Sequence, residues 1–91
     1  MKYLVVIEKA ENNYSAYSPD VLGCVTTGKT VEETLKMMKE ALEFHFEGMI
    51  EDGENIPKPK GLDFYLKQTD EISSDDILAH VEVEISETVF A

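Results

Sequence analysis

Tyr3-Leu4-Val5-Val6-Ile7, closed by Glu8-Lys9, is the stretch that decides the architecture. Consecutive apolar residues, most of them β-branched, fit an extended chain covered on both faces. A strand of that kind belongs in the middle of a sheet. The following residues therefore have to supply neighbours for it and a layer to cover it. Glu11-Asn12-Asn13 supplies a turn, because asparagine bonds its own main chain and tolerates left-handed backbone. Tyr14 to Ser18 alternates aromatic and small residues and makes a hairpin with the first run. Pro19-Asp20 ends it, since proline has no N–H to give to a ladder. A third short strand, Cys24 to Thr27, stops at Gly28.

The periodicity then changes. Thr30 followed three residues later by Glu33 is a capping box. Val31, Leu35, Met38, Leu42, Phe46 and Met49 recur at helical spacing to about Glu51, and Gly53 suits the left-handed position after a helix. Pro57 and Pro59 mark the end of regular structure. Leu62 to Leu66 reads as either a short strand or a packed loop. Asp70 to Asp76 is acidic and should be exposed, with Ser74 as a weak N-cap for a helical turn from Asp76 to Ala79. His80 to Ser86 alternates strictly and predicts a half-exposed last strand. The order is β-β-β-α-β: a single α+β domain over residues 1–91, with 62–79 as a variable connection and 80–86 as the last strand. The expected form is two layers, one long helix on a four-stranded mixed sheet, with a return crossover placing the last strand beside the first.

Charge narrows the function. Eight lysines and no arginine face nineteen acidic residues, for a formal net charge of −11. Such a chain is repelled by phosphate backbones and by anionic lipid, so neither nucleic acid nor a membrane is an expected partner. A basic protein is the natural electrostatic partner, although the same acidity also serves solubility. The one cysteine, Cys24, excludes an intrachain disulfide. The apolar run after Met1 is too short for a signal peptide or a membrane helix, which points to the cytoplasm.

At about 100° per residue, Met37, Ala41, Phe44 and Gly48 form a second apolar strip away from the core stripe. Glu33, Glu40, Glu47 and Glu51 border it. A helix that packs on one side needs no second strip. An apolar centre rimmed by carboxylates suits a basic partner, so Met37, Glu40, Ala41, Phe44, Glu47 and Gly48 are the candidate partner-binding residues. Three other readings stay open: the Leu62 to Leu66 segment folds back over the strip, the strip joins two copies of the chain, or it is simply exposed.

Catalysis finds little support. Two-metal nucleases cluster carboxylates, and Glu8, Asp20, Glu40, Glu43 and Glu47 are available, but with nineteen acidic residues some meet by chance, and there is no Asp-rich strand motif and no cationic surface for a substrate. His45 borders the core stripe and reads as a packing residue. His80 has no Cys or His at ligand spacing. Cys24 reads as a small core residue. No enzyme, metal or cofactor is expected.

Tyr17-Ser18-Pro19-Asp20-Val21-Leu22-Gly23-Cys24-Val25-Thr26-Thr27-Gly28, Thr30-Val31-Glu32-Glu33-Thr34-Leu35 and Glu51-Asp52-Gly53-Glu54-Asn55-Ile56-Pro57 together resemble the HicB antitoxin family. The resemblance runs from about Lys2 to Pro59. It implies a degraded ribonuclease-H-like fold that binds a small basic HicA-like toxin of a type II toxin–antitoxin system and occludes its mRNA-cleaving surface. It also implies a dimer or higher homo-oligomer. Three departures stand out: the 62–79 connection is long, Leu22 stands where the family often has proline, and Ala91 follows directly on the last strand. The last of these, with the charge, argues against direct DNA binding. A stand-alone oligomeric regulator or scaffold without a toxin is the alternative, and a residual metal-dependent nuclease a remote third.

Overall fold

The computed structural model describes residues 1–68 and 72–84. Along the chain these form β1 (Lys2–Lys9), β2 (Tyr14–Ser18), β3 (Val21–Gly28), α1 (Val31–Glu51), α2 (Leu62–Gln68) and β4 (Ile77–Glu82). The sheet order is β3-β2-β1-β4, and every neighbouring pair is antiparallel.

β1 takes the central place that its composition demands. Tyr3, Val5 and Ile7 join Met38, Leu42 and Phe46 of α1 in the core. Leu4 and Val6, which alternate with them, are equally buried and so point to the face away from the helix. The Tyr3 ring lies 5.1 Å from that of Phe46, and its hydroxyl donates a 2.6 Å bond to the Pro57 carbonyl. Burial, with a smaller contribution from the Asp20 charge, raises the Tyr3 phenol above its ordinary pKa. A strand residue thus fastens both the helix and the chain that leaves it.

α1 is capped at both ends as its sequence predicts. Thr30 Oγ1 accepts from the Glu33 amide at 3.0 Å, and Glu33 Oε2 accepts in turn from the Lys29 amide. At the other end Gly53 has φ +74°. Its amide bonds to Ile50 O and the Glu54 amide to Met49 O, which satisfies the last carbonyls by a Schellman arrangement. Thr34 is fully buried although it stands outside the apolar stripe. Its hydroxyl donates back to Thr30 O at 2.6 Å, and Gly28 lies directly against it. A Cβ on Gly28 would collide with Thr34 Oγ1 and come within 2.9 Å of its amide. That glycine is what lets β3 and the first turn of α1 approach.

The sheet is antiparallel rather than mixed, and the connection explains why. α1 carries the chain back from the Gly28 end of β3 by about 30 Å at ~1.5 Å per residue. A strand entered directly there would run parallel to β1. Instead the chain continues past Tyr3 at Pro57 and past Asp20 at Lys60 and Tyr65. It then enters β4 at the other end, where Ile77 pairs with Ile7. Leu62 to Leu66 is accordingly part of a helix, α2, and neither a strand nor a loop. It buries Tyr65, whose hydroxyl donates a 2.6 Å bond to Asp20 Oδ1, the same oxygen that accepts the Lys60 amide at 3.0 Å.

The last strand begins earlier than its pattern suggests. Ser73 closes a turn with Asp75 and Asp76, so the expected helical turn over Asp76 to Ala79 is replaced by strand from Ile77. The ladder continues through Val83, whose amide and carbonyl bond to Met1. Residues 70 and 71 of the acidic stretch, and 85 and 86 of the expected strand, lie outside the described residues.

Two substitutions test this framework. Gly28→Ala should cost about 1–3 kcal/mol, the usual penalty for overpacking a filled site, read as a lower urea midpoint. An unchanged midpoint would mean that β3 and α1 are not in that contact. Tyr65→Phe should cost about 1 kcal/mol, the net worth of one hydrogen bond. Burial, then the Asp20 bond and charge, raise the Tyr65 phenol well above its ordinary value. A raised folded-state value adds stability that is complete below the unfolded phenol pKa of about 10 and is lost as pH rises above it. The gap between wild type and Tyr65→Phe should therefore hold steady from neutral pH to about pH 9 and shrink beyond. A gap that widens above pH 10 would contradict it.

Candidate functional site

The strip on α1 is open. Met37 is 42% exposed and Phe44 78% exposed, an unusual position for a phenylalanine. Glu40, Glu47 and Gly48 are exposed as well, while Ala41 is half-buried and packs against the core. The strip is thus a flank of the helix rather than its back. It leaves the core at Ala41 and turns outward through Met37 to Phe44. Phe46, two residues on, is buried against Tyr3. On a helical wheel Phe44 stands about 160° from it, so the two rings serve different surfaces. Glu33, Glu40, Glu47 and Glu51 are exposed along the outer side of the strip, and no basic residue occupies the last turn of α1.

α2 leaves the strip uncovered. Its Tyr65 is drawn to Asp20 in the β2–β3 turn, and Phe64 instead packs edge-on to Tyr65 with the Lys60 ammonium 4.9 Å above its ring. The fold-back of Leu62 to Leu66 over the helix is therefore excluded.

The remaining chemically capable residues sit in structural roles. His45 is half-buried with its ring 6.2 Å from Phe46, and His80 is exposed on β4. Cys24 is buried in the core, where desolvation pushes its thiol up. Asp20 binds Lys60 and Tyr65. Among the described residues no three His, Cys, Asp or Glu side chains come together in a way that would hold a metal ion. No helix among them is long and apolar enough to cross a membrane.

One surface escaped the sequence reading. β3 is an edge strand, and it presents Leu22 at 89% and Val25 at 64% exposure. Beside them lies a cavity of about 340 Å³ lined by Tyr17, Ser18, Val21, Cys24, Tyr65 and Ile72 among others. Ser18 Oγ is buried there without a hydrogen-bond partner. The signal lay in the run from Val21 to Gly28, which contains no charge and no proline.

Comparison with known proteins agrees with the fold. The family model for the HicB_like antitoxin of bacterial toxin–antitoxin systems matches residues 3–89. An uncharacterized 14.9 kDa protein from the rep–hol intergenic region of Haemophilus phage HP1 is 38% identical over 86 residues, 94% of this chain. The chain spans 63% of that protein's length. The N-terminal domain of Burkholderia pseudomallei antitoxin HicB superimposes with a TM-score of 0.79 at 26% identity, over 93% of this chain and 100% of that one. A chain of a HicA3 and HicB3 toxin–antitoxin complex gives 0.76 at 29% identity, with coverage of 93% and 100%. With that family model matched over residues 3–89, this chain belongs to the HicB_like antitoxin family of bacterial toxin–antitoxin systems.

Proposed function

We propose that this chain is a non-catalytic cytoplasmic antitoxin, a single domain of degraded ribonuclease-H-like type, that binds a small basic HicA-like toxin and covers its mRNA-cleaving surface. Phe44 carries the reading: a large aromatic side chain left in solvent, with carboxylates along its outer border, on a chain of net charge −11. Buried apolar contact at the centre supplies affinity, while the rim steers and orients a cationic partner. Glu33, Glu40, Glu47 and Glu51 then compete with RNA phosphates for the toxin's cations. The similarity to a chain of a HicA3 and HicB3 toxin–antitoxin complex supports a toxin partner. The reading also includes a homo-oligomer that does not itself bind DNA, since a basic surface is what DNA requires.

Phe44→Glu and Met37→Glu should each leave the fold intact, because both side chains are exposed. Each should weaken binding of a basic HicA-like toxin at least about thirty-fold, the scale of a central hot spot. Calorimetry at low and high salt would also find the wild-type affinity falling as salt rises. Unchanged affinity in both variants would remove the strip from the toxin interface.

A further inference from the structure

We infer that the β3 edge is the seam at which two copies of this chain join, sheet to sheet. Edge strands offer unpaired backbone groups, and soluble proteins guard them with charges, prolines or bulges. The two edges of this sheet differ sharply in that respect. β4 carries His80 and Glu82 and is followed by Glu84. β3 has no charged residue and no proline between Val21 and Gly28. Its irregularity is confined to one end, where Gly23 has φ +82° and the register with β2 shifts between Tyr17 and Ser18. From Val25 to Gly28 the ladder with β2 is regular. Among the described residues no strand pairs with its outer side.

Charge complementarity selects the occupant. A basic partner gains nothing from a neutral strand and is better served by the acidic-rimmed strip on α1. A second copy has the opposite need, because two chains of −11 can approach closely only where neither presents a carboxylate. β3 is such a place. Antiparallel edge pairing is self-complementary, so the same residues of each copy meet about a two-fold axis. Pairing there would cover Val25 and Leu22 and close the cavity beside them, including the unpartnered Ser18 hydroxyl. This locates the homo-oligomer named in the preceding reading and does not depend on a toxin.

The test uses the full chain without toxin. Sedimentation velocity over a concentration series should show a dimer for the wild type. Val25→Lys, which sets two ammonium groups against each other across the seam, should weaken dimerisation at least about ten-fold with an unchanged far-ultraviolet spectrum. Phe44→Glu should leave dimerisation as it is. Hydrogen exchange on the wild type is the second readout, with amides from Val25 to Gly28 slowing as concentration rises while those of β4 do not. A dimer that survives Val25→Lys, a wild type that stays monomeric, or concentration-dependent protection in β4 instead of β3 would each overturn the seam. None of these results touches toxin binding, which is measured separately on the Phe44 and Met37 variants.

Discussion

Burial of Tyr3 to Ile7 on both faces of the sheet is the constraint on which the other elements depend. Each fully buried aliphatic or aromatic side chain of this kind contributes roughly 1.5–3 kcal/mol, so leaving one face of β1 open would be costly in a small domain. One face is closed by α1 through Met38, Leu42 and Phe46. The other buries Leu4 and Val6. β4 pairs with β1 from Lys2 to Ile7 on one side, and β2 from Val6 to Lys9 on the other. Tyr3 joins these parts in one residue, with its ring on Phe46 and its hydroxyl on Pro57. Because the chain is fixed at Pro57 and again at Asp20, it is committed to recrossing the sheet before β4, and the antiparallel order follows.

The distribution of charge gives the folded domain its functional character. Acidic side chains predominate on the outer surface of α1, and Glu82 and Glu84 mark the end of β4, while β1 and β2 supply a neutral interior and β3 a neutral edge. A strongly charged protein of this kind keeps itself apart from other copies except where charge is missing. It attracts cationic partners where carboxylates surround something apolar. The two surfaces left open by the fold, one neutral and one acidic-rimmed, are thus suited to different partners. On the reading proposed above, the neutral edge would serve assembly and the acidic-rimmed strip the capture of a basic protein.

Much of this was legible in the residues. The five-residue apolar run, the Thr30 and Glu33 box, the Gly53 stop and the helical spacing from Val31 to Met49 each have a local physical cause, and each element formed as they indicate. The strip at Met37 and Phe44 was legible for the same reason, since helical geometry alone separates it from the core stripe. What escaped was set by contacts distant in sequence. Tyr65 is held by Asp20, 45 residues away in sequence, and the seven residues of α2 are too few to display helical periodicity. Strand direction in β4 depended on that same detour. Thr34 is buried because Gly28 makes room for it, which no stripe of apolar residues reveals. The β3 edge was missed because exposure of Leu22 and Val25 follows from strand order, and strand order is a property of the whole sheet.

The most direct test of the central claim, that the acidic-rimmed strip on α1 receives a basic toxin, is a chemical-shift map of the labelled chain titrated with that toxin. The account predicts that the amides of Met37, Ala41, Phe44 and Gly48 shift or broaden most, with Glu40 and Glu47 close behind and β4 little changed. Perturbation centred on β4 or α2, with the strip silent, would contradict it.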